Sequence, residues 1–230
     1  MKPAARIQVP DSALLRQRLV ELANVLHPQV CIECGTHVGL GSTRILLEVA
    51  AACSIPRIYT LEVSSRLHAE ARRNLAIFPQ VECLWGLSVR KDEAIEFISN
   101  DPLLLERGPE PDLYIDFLPD PVGGYLRELE GALGGDEAGT PPDGLLHAIL
   151  PTFAGRRPLF CLDSAGGAGW LEYQTVRRLM GDRPFMIWTD DVNHVKHYRS
   201  LLHLQSDPAA SRVSLNWDEG WGVALVNVPV

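Results

Sequence analysis

The run Val30-Cys31-Ile32-Glu33-Cys34-Gly35-Thr36-His37-Val38-Gly39-Leu40-Gly41-Ser42-Thr43 constrains this chain more than any other stretch. A short apolar segment ends in a carboxylate, a glycine-punctuated turn follows, and Arg44-Ile45-Leu46-Leu47-Glu48-Val49-Ala50 then reads as a helix. Glycine has no Cβ, so the turn can be tight and the backbone can come close to a ligand. The helix start just beyond it offers unpaired N–H groups to a negatively polarised group. A second acidic residue, Glu62, closes the next apolar run, Arg57-Ile58-Tyr59-Thr60-Leu61-Glu62. Strand, turn and helix followed by a second acid-tipped strand imply a nucleoside-type ligand at the carboxyl edge of a parallel sheet.

The rest of the chain repeats that alternation. A helix is expected over 11–26, capped by Asp11 or Ser12, followed by a strand at 29–33, a helix at 41–53, a strand at 57–62, a helix at 66–77, a strand at 81–85 and a helix at 90–99. Further strands are expected at Asp112–Asp116, Leu159–Asp163, Phe185–Thr189 and Trp221–Val228. The pattern predicts an α/β fold with a Rossmann-like, doubly wound, seven-stranded and mostly parallel sheet. With 230 residues, 46% of them hydrophobic, one core and a single domain spanning 1–230 are expected. Residues 119–144 break the rhythm with many glycines and prolines around a short helix near Tyr125–Glu130. Long irregular insertions are either functional lids or mobile linkers, and both readings stay open here.

Charge and cysteine content exclude several classes of function. A net charge of −8 argues against nucleic-acid binding, which needs a basic footprint. No apolar run approaches the roughly 20 residues that span a bilayer, so no membrane partner is expected. Met1-Lys2-Pro3-Ala4-Ala5-Arg6 lacks the apolar centre of a signal peptide, and five cysteines make an odd count, so a cytoplasmic protein with reduced thiols is expected. Cys31 and Cys34 form a CxxC with no second pair to complete a zinc site, and are read as structural.

The run from Glu33 through Gly35, Thr36, His37, Gly39, Gly41 and Ser42 resembles motif I of class I S-adenosylmethionine-dependent methyltransferases, nearest the E-x-G-T-x-x-G-x-S form of catechol-type and macrocin-type small-molecule O-methyltransferases. The resemblance continues through Glu62, Gly86-Leu87-Ser88, Asp116 and Asp163, and covers the chain from about residue 28 to its end. It implies an antiparallel last strand, S-adenosylmethionine as cofactor, and a hydroxyl on a sugar or specialised metabolite as acceptor. It further implies that Gly35, Gly39 and Gly41 wrap the methionine and ribose portions and that Glu33 faces the cofactor amino group. Glu62 would take the ribose hydroxyls, Val63 would lie against adenine, Ser88 would meet the adenine edge, and Asp116 would stand near the methionine tail or the acceptor. His37 reads equally as a site-lining residue or an exposed turn.

A hydroxyl acceptor needs its proton removed by a general base or by a metal ion. In metal-dependent relatives a strand-four Asp and a consecutive pair after strand five bind magnesium. Asp116 and Asp163 match the first two positions, with Ser164 in the third, so Mg2+ is a candidate second cofactor. The base candidates are His194 and His197, three apart in the polar run Thr189–Arg199, and Asp116 is a further catalytic candidate. In the same run Asp190, Asp191 and Asn193 form a second candidate set of oxygen ligands. Trp170, after the glycine-rich stretch 163–169, reads as an acceptor wall or a helix anchor, and Trp217 and Trp221 as parts of a hairpin or an interface. Two other functions stay open: a non-catalytic S-adenosylmethionine-binding scaffold or regulatory protein, and a nicotinamide-dependent oxidoreductase. The G-x-x-x-G-x-G spacing and the charge of Glu33 disfavour the second. A homodimer through the N-terminal helix is also left open.

Overall fold

The computed structural model describes residues 12–106, 113–134, 139–164 and 167–229. Asp11, Asp112 and the basic N-terminal stretch lie outside them. Seven strands form one sheet: β1 (Val30–Cys34), β2 (Ile58–Glu62), β3 (Val81–Trp85), β4 (Pro158–Leu162), β5 (Phe185–Thr189), β6 (Ala210–Asn216) and β7 (Trp221–Val226). Their spatial order is β3-β2-β1-β4-β5-β7-β6, with β7 antiparallel to both of its neighbours and the other pairs parallel. This is the expected doubly wound sheet, antiparallel last strand included.

The central strands are buried on both faces and therefore read as continuous apolar runs. Every residue of β1, β4 and β5 is buried. One face of the sheet carries Cys31, Leu159, Met186 and Trp188 against α1 (Ala13–Leu26) and α2 (Ser42–Cys53), with α3 (Ser65–Leu75) contributing Ala71 and Leu75. The other face carries Ile32, Cys34, Phe160 and Ile187 against Ala94 of α4 (Lys91–Asn100), Leu146 of α7 (Leu145–Ile149), Tyr173 and Val176 of α8 (Gly169–Met180) and Leu204 of α9 (Tyr198–Ser206). Cys31 and Cys34 thus face opposite sides of the sheet, and both thiols are free and buried. The single turn α5 (Pro102–Leu105) and α6 (Pro121–Leu133) also lie between β3 and β4.

Local chemistry sets the helix ends. Ser12 Oγ accepts the Leu15 N–H at 3.1 Å to start α1, and His27 in the left-handed region ends it one residue before Pro28. Ser64 caps α3, and Asp120 caps α6 with Pro121 in the first turn.

One predicted strand is corrected. Of the segment expected at Asp112–Asp116, the described residues 113–116 do not enter the sheet; the place beside β1 is held by Pro158–Leu162. That slot is covered by helices on both faces and takes a continuously apolar run, whereas Tyr114 and Asp116 put polar groups at alternate positions. Leu113–Asp116 instead docks on the loop after β5. Tyr114 N–H donates to Asn193 O and Val195 N–H to Tyr114 O, both at 3.0 Å, in a single parallel bridge. The strand missing from the sequence reading is β6, an edge strand with partly exposed residues and a bulge between Ser211 and Ser214. Trp217 lies in the turn between β6 and β7, and Trp221 is buried at the start of β7, so both belong to a hairpin. No helix among the described residues is long and apolar enough to cross a membrane.

Candidate active site

The exits of β1, β2, β4 and β5 bring the acidic residues to one edge. Glu33, the fourth residue of β1, pairs with Thr60 and Cys161 in the neighbouring strands and has no solvent exposure. The Thr43 hydroxyl, in the first turn of α2, donates to Glu33 Oε2 at 2.8 Å; Oε1 is buried with no protein partner. Burial pushes the Glu33 carboxyl up to about 8, against the pull of Thr43 and Ser42. Thr36 Oγ1 in the adjoining turn is likewise buried and unpartnered. Buried polar atoms ordinarily find partners, and these two have none within the protein.

The turn itself is locked. Gly35 adopts φ +92°, and a Cβ there would overlap the carbonyl of Asp163 at the β4 exit. Gly39, at φ +76°, packs against Leu75 of α3. Asn74 of the same helix donates to Val38 O at 2.9 Å. Gly41 is the N-cap residue of α2 and supplies no side-chain cap. His37 is exposed at φ +52°. Its backbone N–H donates to Glu62 Oε2 at 2.8 Å, and the Ser64 N–H donates to Glu62 Oε1 at 2.9 Å. The Glu62 carboxylate therefore clamps the β1–α2 turn to the β2 exit. Val63 is half-buried, with its carbonyl accepting from Trp85 Nε1.

Beyond β3, Ser88 is buried and its hydroxyl donates to Glu172, a carboxylate on the first turn of α8. Ser164 donates to the same Glu172 oxygen at 2.6 Å, and the other oxygen is buried and unpartnered. Burial raises the Glu172 pKa. Glu172 had no signal in the sequence, because an acidic residue in a helix's first turn ordinarily serves the helix dipole.

The loop after β5 carries the densest chemistry. Asp163, Asp190 and Asp191 bring carboxylate oxygens within 4.8 Å of one another. Lys196, 4% exposed, places its Nζ 3.2 Å from Asp163 Oδ1 and 2.7 Å from Asp191 Oδ2. Burial works against this ammonium, but the facing carboxylates outweigh it and push its pKa up. Asp190 is buried with Oδ1 unpartnered, and burial raises its pKa together with that of Asp163. Asp163 and Asp191 both spend an oxygen on the lysine. The donor set suits an oxygen-seeking divalent ion, but the ammonium already stands against it, so these residues as arranged do not fit Mg2+.

Asp116, matched from sequence with Asp163, lies elsewhere in the constellation. Its Oδ2 is 3.0 Å from His194 Nε2 and 3.3 Å from the Tyr125 hydroxyl of α6. His194 Nδ1 accepts the Lys196 backbone N–H at 3.1 Å, so Nε2 carries the proton and points it at Asp116. The hydrogen bond from His194 outweighs burial and holds the Asp116 carboxyl below the usual range. Asn193 donates to Trp217 O, away from the acid cluster. His197 is corrected as a base. It is fully buried, its Nδ1 meets Ser200 Oγ at 3.1 Å, and burial drives its pKa well below the ordinary value. Residues 194–197 form a turn ahead of α9, so the two histidines share no helical face. Trp170 stacks on Tyr173 at 5.2 Å and anchors α8.

No family model matches this chain, and no curated protein does. Among solved structures, cofactor-bound Rv0187 from MTB is 18% identical, with a TM-score of 0.51 over 98% of this chain and 84% of that one. This likeness establishes the fold, a Rossmann-like α/β sheet. The O-methyltransferase from Bacillus cereus in complex with SAH is 15% identical over 98% and 84% of the two chains, with a TM-score of 0.49. The O-methyltransferase TomG from Streptomyces achromogenes, in complex with SAM, is 16% identical over 95% and 82%, also with a TM-score of 0.49.

Proposed function

We propose that this protein is an enzyme that binds S-adenosylmethionine at the β1–β2 edge and transfers its methyl group to a hydroxyl of a small-molecule acceptor. The Glu62 carboxylate carries the reading: it grips the glycine turn through His37 and stands at the β2 exit, where a carboxylate can accept from a ribose diol. Glu33 Oε1 and Thr36 Oγ1 are buried acceptors suited to the methionine ammonium, and Ser88 with Glu172 supplies polar groups for the adenine edge. A site rich in carboxylates suits a ligand with cationic ammonium and sulfonium centres and disfavours a pyrophosphate. Bound there, the cofactor supplies a methyl group on sulfur, open to in-line attack by the acceptor oxygen.

Asp116 is the group we assign to the acceptor's proton. His194 and Tyr125 orient its carboxylate. Residues 113–134 dock on the β5 exit through Tyr114 and Tyr125, which supports a role as a cover over the acceptor. A sugar or specialised metabolite as acceptor rests on the motif I resemblance.

Calorimetric titration with S-adenosylmethionine and S-adenosylhomocysteine tests the cofactor. Binding is expected in the intact protein, and Glu62→Ala, still folded, is expected to weaken it at least ~30-fold, since hydrogen bonds to a charged group are lost. An intact protein that binds neither compound sinks the proposal.

A further inference from the structure

The Asp163, Asp190 and Asp191 cluster is arranged like a cation site, yet a side chain of the protein reaches into it. We propose that the Lys196 ammonium is a built-in counter-cation, holding the position a divalent metal would take among these carboxylates, so that the cluster needs no metal. The inference concerns the cluster alone and stands or falls separately from the cofactor assignment.

Three observations carry it. First, Nζ lies within 3.2 Å of oxygens from two of the three carboxylates. A divalent ion binds oxygen at about 2.0–2.6 Å, so an ion shared by these groups would stand almost against the ammonium, and like charges at that separation repel strongly. Second, Lys196 cannot easily withdraw. It is 4% exposed, and a Cβ on Gly169 at the start of α8 would overlap Lys196 Cγ and press on its carbonyl. The lysine stem therefore runs flush against the helix backbone, and a glycine at 169 is what makes room for it. Its own N–H is tied to His194 Nδ1. Third, buried carboxylates require a compensating charge. Asp190 is 4% exposed and leaves Oδ1 without a partner, so the cluster holds an oxygen that no hydrogen bond satisfies. Lys196 supplies the charge from within, tethered by its backbone.

An internal ammonium changes what the site can do. A metal accepts two neighbouring oxygens of one acceptor at once, whereas an ammonium donates along separate N–H directions, two of them already spent on Asp163 and Asp191. Recognition of an acceptor therefore does not depend on a chelating pair of hydroxyls.

Mn2+ alone, titrated into the full chain without any cofactor and followed by electron paramagnetic resonance and thermal melting, tests the proposal. The intact protein is expected to show no saturable binding. Lys196→Met and Lys196→Gln free the carboxylates and are expected to bind one Mn2+ at least ~100-fold more tightly, as carboxylate-rich sites tune affinity by charge. Adding Asp190→Asn should remove that gain. A variant that melts cooperatively only when Mn2+ is present counts as binding. Stoichiometric Mn2+ binding by the intact protein that disappears in Asp190→Asn overturns the proposal. So does the failure of both Lys196 variants to respond to Mn2+, whether folded or not.

Discussion

At the scale of single residues, the pairing of Asp116 with His194 separates two roles that the sequence left mingled. Both His194 nitrogens are engaged, Nδ1 by the Lys196 N–H and Nε2 by Asp116, so the ring has no free lone pair and acts by orienting the carboxylate. Asp116→Asn removes the proton acceptor and keeps the shape. If the methyl-transfer assignment holds, kcat should fall about 10²- to 10⁴-fold, the usual contribution of a positioned acid or base. His194→Gln should lower kcat less, because the carboxylate survives and only its orientation is lost. Cofactor affinity should stay unchanged in both, as read by titration, since neither residue belongs to the β1–α2 turn or the β2 exit. A parallel loss of affinity would place Asp116 on the cofactor instead.

At the scale of elements, two glycines show how differently the same residue can be used. Gly35 sits at φ +92° with the Asp163 carbonyl where a Cβ would go. Gly35→Ala should cost on the order of 3 kcal/mol, combining backbone strain with a clash that β1 and β4 cannot both avoid. Gly131 lies within α6, and a Cβ there would meet nothing within 4 Å. Gly131→Ala should stabilise by about 0.5–1 kcal/mol through helix propensity alone. Denaturant melts of the two variants, compared at equal slope, check both signs. The contrast also explains what was legible in the sequence. The β1 turn, Glu33 and Glu62 were readable because an acid-tipped apolar run followed by spaced glycines has few other uses. The segment around Asp116 was misplaced because a run of five residues with apolar alternation looks the same in a sheet and in a docked loop. Lys196 and Glu172 gave no signal, since a lysine in a polar run and a glutamate at a helix start are ordinarily solvated. Their burial is a product of tertiary packing: Gly169 admits the lysine, and Ser88, far away in sequence, comes to meet the glutamate.

At the scale of the whole molecule, the acidic edge makes stability depend on pH in a direction that can be worked out. Glu33 is raised from 4.5 to about 8, and burial likewise raises Glu62, Asp163, Glu172 and Asp190. Above pH 4.5 the unfolded chain gives up a Glu33 proton that the native state retains. The native state thus binds more protons, and stability falls as pH rises, until Glu33 ionises near pH 8 and its contribution levels off. For Glu33 alone the fall is on the order of 5 kcal/mol. Asp116 runs the other way: its lowered pKa contributes stability above its unfolded value of 3.8, lost only on acidification below that window. Lys196, raised from 10.5, contributes stability that is constant across the window and is lost only at higher pH. The protein without ligand should therefore melt at a higher temperature near pH 5.5 than near pH 8, and Glu33→Gln should remove much of that slope. A cationic amino group bound at Glu33 would favour the ionised carboxylate, so cofactor binding near pH 6.5 should release close to one proton. Calorimetry in buffers of different ionisation enthalpy reads that proton directly. Its disappearance in Glu33→Gln would tie the ammonium to this carboxylate, and its persistence would move the ammonium to another acid of the same edge.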